Sequence, residues 1–543
     1  MQASDLSVPG YADRLLVDVE LNPGKVEKWV ASLPLLNPAA AGRKLHEALA
    51  AYNRMDIEPA LRLELLELLR APIHHVVTEL RKHYVGLPLP LPEKHRRAAQ
   101  QTQEFHRELA YGYKLLVLAS SPAARAPAEN ALPLHRAIRH LTEMLLAAYL
   151  SYAPYEGTVW REIHALYRRA EELGIAHIAV TDRMREAHPE TSIADAYKHA
   201  LLLDLADPYH LPSRMVAKID QYLQCYAGLA TLHREFDRVE PYCHFLIDPQ
   251  SERAGILYSN ETPSAPVAGA VLLNTIELAR HIHAQLTSFR AGELPNCALL
   301  PPGFYRIGGE EMLLRLINVW GLNPKRTYRR STRTNAKVEM LVGLPAINYW
   351  FNGGPFVVSG ARMGPFPRSQ QSGADAGDPQ ADAGDPQPPP DYQPAWWEVQ
   401  DESAGGMALR KSGLVSRRVK VGDLVATRFD GDEQWSLAVV RWVKSPNPSR
   451  VEIGTQRLAP GARAVVVKVI DEHMRESDFL PALLLPAVPA LGEPVTLVTP
   501  GNIFRPNRVI HVDDGQTFTR LVARELLEAS GSFERIDFAA DAA

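Results

Sequence analysis

The spacing of apolar side chains changes near residue 322, so this chain must bury helix faces in one part and strand faces in another. Before that point apolar residues recur every three or four positions. Leu45, Leu49 and Tyr52 form one such row, and Leu61, Leu65, Leu68 and Leu69 form another after Pro59. Further helices are predicted at about 71–84, 93–119, 133–151, 157–173, 192–205 and 212–235. Gly86, Ser120-Ser121-Pro122, Pro154, Gly174 and Asp207-Pro208 supply the breaks between them. Tyr242–Ile247 and Ala254–Tyr258 interrupt the pattern as a hairpin, and helices resume at Leu272–Phe289 and Gly309–Gly321. After residue 322 the runs are short and rich in β-formers: 336–344, 424–429, 435–443, 451–458 and 464–470, separated by Gly, Pro and Asp. That pattern reads as an antiparallel barrel or sandwich.

A chain of 543 residues exceeds a single core. We expect a mainly helical domain over 1–321, a β-barrel over 322–470 and a β-rich extension over 471–543. Within the extension, Asp513-Asp514-Gly515 offers a hairpin turn; the strands of this region fit either the barrel or a separate appendix. In the first domain Trp160–Tyr167, ending at Gly174, is similar to the first helix of a tetratricopeptide unit, with Ala194–Leu205 as its partner. No repeat period is sustained, so the expectation is an all-α irregular (TPR-like) helical array, suited to partner helices or peptides.

The chemistry-bearing residues lie at the change of pattern. Arg329, Arg330 and Arg333 directly precede the strand-like 336–344, and Arg326 with Arg330 offers a second R-x-x-x-R register. Guanidinium keeps its charge, grips phosphate oxygens in pairs and matches the O6/N7 edge of guanine. Farther on, Asp401, Ser403, Gly405 and Gly406 form D-x-S-x-x-G at a turn between strands. The carboxylate accepts from base N–H groups, the hydroxyl donates to phosphate or caps the turn, and the glycines admit close backbone approach. This pair of motifs resembles the signature of the PilZ domain family, bacterial receptors for cyclic di-GMP. Ile453–Leu458 is similar to the family's closing strand.

The resemblance covers 326–470 and implies an antiparallel PilZ-like barrel. Its ligand-binding residues would be Arg329, Arg330, Arg333, Asp401, Ser403, Gly405 and Gly406, the ligand being cyclic di-GMP with no other cofactor. An insertion at about 360–394 carries Ala-Asp-Ala-Gly-Asp-Pro-Gln twice and then a proline run, and its composition predicts disorder. The arginine segment would be the only covalent link between the two domains, so ligand binding there could reorient them. The expected role is a non-enzymatic receptor that couples nucleotide binding to an unidentified protein partner of the helical domain. Motility, pili and exopolysaccharide output are processes such a receptor would regulate. The alternative is a ligand-independent PilZ-fold adaptor.

Other classes find little support. A formal net charge of −4 argues against a nucleic-acid coat, leaving only the local run Lys325–Arg333 as a basic patch. The histidines lack metal-ligand spacing, with no HExxH and no Cys/His cluster, so no metal site is expected. Gly308-Gly309-Glu310-Glu311 reads as a helix start with acids at the positive dipole end. No phosphate loop, nucleophile elbow or secretory signal occurs, and prolines break the apolar stretch 479–491. Cys225, Cys243 and Cys297 are widely spaced, consistent with reduced thiols in a cytoplasmic protein. Trp396-Trp397 and Tyr349–Phe351 fit either guanine stacking or a barrel core.

Overall fold

A computed structural model describes residues 6–12, 17–119, 126–155, 157–185, 189–234, 242–258, 269–295, 299–322, 331–332, 336–358, 361–362, 388–413, 417–469, 477–487 and 494–540. The predicted disordered insertion lies mostly outside these residues, as do Arg329, Arg330, Arg333 and Cys297. The chain forms two units. One comprises Met1–Leu87 and Leu91–Lys325, the other Pro88–Pro90 and Arg326–Ala543.

Asparagine or glutamate followed by proline starts the first helices of the first unit. Asn22, Asn37 and Glu58 accept from the backbone N–H three residues on, ahead of helices Pro23–Ala31, Pro38–Asn53 and Pro59–Arg81. Proline at the first helical position loses no hydrogen bond, because that N–H has no intrahelical partner. Pro59–Arg81 runs unbroken through Pro72, where a new helix was predicted at 71. Leu65, Leu69, Pro72, Ile73, Val76 and Leu80 are buried along one face, and that packing outweighs the missing hydrogen bond. Glu93–Ala119, Pro127–Leu150, Val159–Glu172, Ile193–Leu205 and Ser213–Tyr226 complete the array. Val159–Glu172 and Ile193–Leu205 do pair, with the Tyr167 and Tyr197 rings stacked at 4.0 Å. A small hairpin, Val180–Thr181 with Glu190–Thr191, stands between them.

Two readings in this unit are corrected. The last helix of the array ends at Tyr226, and Thr231–His233 is a strand. Val271–Asn274, read as the start of a helix, also forms a strand and pairs with both Thr231–His233 and His244–Ile247. Its apolar run is buried, a context in which periodicity alone does not separate strand from helix. Helices follow at Ile276–Arg290 and Gly309–Ile317, the latter opening on Gly308 with φ 63°.

In the second unit, Lys337–Val342, Leu424–Phe429, Ser436–Asn447, Arg450–Ala459, Gly406–Ser412 and Ala395–Ser403 hydrogen-bond in that order. Ala395–Ser403 pairs back onto Lys337–Val342, closing an antiparallel ring. A second closed barrel contains Arg463–Val469, Leu480–Leu485, Thr496–Thr499, Glu534–Ala540, Phe518–Ala529 and Val509–Asp513. Arg463–Val469, read as the last strand of the first barrel, therefore opens the second. Ala464 and Val466 pack into a core shared with Leu341, Leu424 and Val439, whereas Val465 and Val467 fill the second barrel. With both faces apolar, this strand carries no alternation to assign it to one barrel. Asn348, on helix Leu344–Phe351, donates to the carbonyls of Val465 and Ala482, both at 2.8 Å. Leu89, buried in this unit, exchanges two 2.8 Å backbone hydrogen bonds with Val419. The arginine segment is consequently not the only covalent link between the units.

Candidate ligand-binding site

The D-x-S-x-x-G residues occupy a hairpin tip. Asp401 and Ser403 end strand Ala395–Ser403, Ala404 and Gly405 make the turn, and Gly406 begins strand Gly406–Ser412. The pairing register shifts between Val399 and Asp401, a bulge that re-aims the side chains approaching the tip. Gly406 has φ 154°, and a Cβ there would lie 1.9 Å from the Thr455 carbonyl oxygen, so the position admits only glycine. Ser403 Oγ donates to the Gly406 carbonyl at 3.3 Å. The Gly405 carbonyl accepts from the Arg457 N–H at 2.9 Å.

One pairing links the two motifs. Ser331–Thr332 lies antiparallel to Ala395–Ser403, with Thr332 opposite Asp401 and Ser331 opposite Glu402. In the sequence Arg330 immediately precedes this dipeptide and Arg333 immediately follows it. Asp401, Ser403, Gly405 and Gly406 are thus brought together at one tip, and the middle of the arginine segment is hydrogen-bonded to their strand. The positions of Arg329, Arg330 and Arg333 themselves lie outside the described residues.

Sequence reading passed over two neighbours of the tip. Arg457 places Nη2 3.7 Å from Glu402 Oε1 and is one-third exposed, adding a cation beside the turn. Gly454 lies under the Trp442 indole; a Cβ would sit 1.8 Å from Nε1. The signal for Gly454 was a glycine inside a β-rich run; Arg457 had none, its place being set by strand register. Of the tandem tryptophans, Trp397 is buried and Trp396 is 42% exposed, on the strand that carries Asp401. Among the described residues no cluster of His, Cys, Asp or Glu could hold a metal ion, and no helix is long and apolar enough to cross a membrane.

A helical unit precedes a six-stranded ring that displays a glycine-bearing acidic hairpin, and a second closed barrel follows. The ring is a PilZ domain: residues 366–464 match the family model described as the middle PilZ domain of cyclic-di-GMP receptor FimW. Residues 24–237 match that receptor's N-terminal domain, and residues 465–540 match its C-terminal β-barrel domain. The PilZ match begins downstream of the arginine segment, whereas the 465–540 match agrees with the start of the second barrel. The chain is 26% identical to the cyclic-di-GMP receptor FimW of Pseudomonas aeruginosa over 98% of its own length and 93% of that protein. No solved structure matches it.

Proposed function

We propose that this protein is a non-catalytic receptor for cyclic di-GMP. The ligand would lie against the hairpin tip Asp401–Gly406 and the arginine segment 329–333. The observation that supports this reading best is the pairing of Ser331–Thr332 with Asp401–Glu402, which tethers the arginine segment to the acidic turn. Arg329 and Arg333 would grip phosphate and guanine edges, Arg330 would assist, and Asp401 would accept from guanine N–H groups. Ser403 would donate to phosphate, while Gly405 and Gly406 would keep the turn open to the ligand. Similarity to a cyclic-di-GMP receptor along nearly the whole chain supports the same ligand. Binding would order the arginine segment and alter what the helical unit offers a protein partner, regulating a process such as motility, pili or exopolysaccharide output.

Thermal unfolding with cyclic di-GMP against GMP tests the ligand, because selective binding to the folded state must raise the melting temperature. Calorimetry on Arg333→Ala tests the site. Loss of one charge-assisted contact is expected to weaken binding roughly tenfold to a hundredfold. Unchanged affinity in that variant would remove the arginine segment from the site. No response to cyclic di-GMP in the unaltered protein would leave the ligand-independent adaptor.

A further inference from the structure

The helical unit contains a second concentration of arginines, wholly or partly buried and drawn from distant parts of the chain. Arg70 lies on helix Pro59–Arg81, Arg139 on Pro127–Leu150, and Arg185 between the two strands of the small hairpin. With Arg81 they line a cleft enclosing about 600 Å³, its mouth included. Glu143 and Asp182 also line it, so four guanidinium groups face two carboxylates. An adjoining cleft of about 370 Å³, its mouth included, shares Arg139 and Arg185 as walls and is also lined by Glu190 and Asp195.

The carboxylates fix the cations in place. Glu143 binds Arg81 and also takes Arg139 Nη2 at 3.1 Å. Asp182 takes Arg70 Nη2 at 2.7 Å and lies 3.4 Å from Arg136 Nη1. Behind this wall Arg136 is held by Glu67 at 3.2 Å, and Asp220 accepts from His199 at 2.9 Å. His199 Nδ1 in turn receives Arg139 Nη1 at 3.1 Å. Among the described residues Arg185 lies within ion-pair distance of no carboxylate; it donates to the Gln224 backbone carbonyl.

Several polar atoms around the cleft lack partners. His106 and His140 line it, both at least nine-tenths buried, with their Nδ1 atoms 3.2 Å apart. If both rings are neutral, one Nδ1 donates to the other, so one of the two Nε2 atoms carries a hydrogen. Neither Nε2 has a hydrogen-bond partner, nor do Arg70 Nε and Arg81 Nε. A buried donor without an acceptor costs about 1–3 kcal/mol. A purely structural ion-pair brace would not need surplus cations and orphaned donors around an open cleft.

We propose that this cleft binds a small oxyanion, a phosphate or the phosphate group of a monoester. Arg70, Arg81, Arg136, Arg139 and Arg185 outnumber Glu67, Glu143, Asp182 and Asp220, so the cluster keeps a positive surplus, and the planar guanidinium fork matches phosphate oxygens. Arg185, unpaired with any described carboxylate and donating among the described residues only to the Gln224 carbonyl, contributes its remaining N–H groups. Arg139, already committed to Glu143 and His199, adds charge. The orphaned histidine and arginine nitrogens supply donors at the wall.

Thermal unfolding of the full chain, in a buffer free of phosphate, is the test. Inorganic phosphate and glycerol 3-phosphate are each titrated against sodium chloride at equal ionic strength. The expected result is a rise in the helical unit's melting temperature with phosphate or with the monoester beyond that with chloride. A response to both identifies free phosphate as sufficient, and a response to the monoester alone identifies an esterified ligand. Arg185→Gln is expected to weaken the effect about tenfold, one charge-assisted contact being lost. Arg185→Lys should recover only part of it, because it keeps the charge without the fork. Equal shifts in phosphate, monoester and chloride would make the cleft a water-filled brace and overturn the proposal. A phosphate response unchanged in Arg185→Gln would overturn it too.

Discussion

The two arginine-rich regions of this molecule were built in opposite ways. Arg326, Arg329, Arg330 and Arg333 fall within one short stretch of sequence, and Ser331–Thr332 between them pairs with the strand that carries Asp401. Arg70, Arg81, Arg136, Arg139 and Arg185 are scattered over the first unit and meet only because helices pack. Carboxylates hold the scattered set in fixed positions, apart from Arg185. A local cluster is therefore visible as a motif, whereas a packed cluster has no sequence signature beyond the charged residues on otherwise apolar helix faces.

That contrast can be broken experimentally, and the largest effect belongs to the packed set. Glu143→Ala leaves both Arg81 and Arg139 without an ion-pair partner among the described residues; it is expected to destabilise the helical unit by about 3–5 kcal/mol. Calorimetric scanning should show that unit's transition lowered and the barrel transition unmoved. If the transition stays within about 0.5 kcal/mol of the original, the carboxylate is not what holds the guanidiniums.

At the hairpin tip a smaller effect is expected. Gly406→Ala forces a Cβ against the Thr455 carbonyl at a positive φ, costing about 3 kcal/mol in strain and displacement. The barrel transition should fall and cyclic di-GMP binding weaken together. A variant of unchanged stability would mean that the tip relaxes freely.

Acid should separate the two units by sign. Burial lowers the ring pKa of His106 to about 3, and burial with neighbouring cations also lowers those of His135 and His140. An unfolded imidazole titrates near about 6.5, so below that pH the unfolded helical unit binds more protons than the folded one. Its stability should fall by about 1.4 kcal/mol per pH unit for each such ring. Burial alone would raise Glu143 and Asp182, but their arginines hold both below the usual carboxylate range. Their contribution is present at neutral pH and is also lost in acid. In the barrel unit, burial raises the Asp423 carboxyl despite its hydrogen bonds to Ser532 and Lys420. That group takes up its proton more readily when folded, so it contributes stability as pH falls. Unfolding midpoints measured from pH 7 to pH 5 should drop for the helical unit and hold for the barrels; equal drops would contradict the assignment.

Much of this was legible in the residues. The period change separated helices from strands, and the turn chemistry of Asp401–Gly406 predicted the hairpin where it occurs. A separate helix was expected from about 71; the buried face on both sides of Pro72 instead carries a single helix through it. Arg463–Val469 could not be assigned to the correct barrel, since a strand buried on both faces shows no alternation. Arg457 escaped notice because its place beside the turn depends on the register between Gly406–Ser412 and Arg450–Ala459. Long-range register of that kind leaves no local trace.

The central claim is that the arginine segment and the acidic turn act on one ligand. A double-mutant cycle of Arg333→Ala and Asp401→Ala, read by calorimetric titration of cyclic di-GMP, tests it most directly. The account expects the two losses to be coupled by at least about 1 kcal/mol, because both side chains would contact the same bound dinucleotide. Losses that add to within about 0.3 kcal/mol, or full affinity in both single variants, would contradict it.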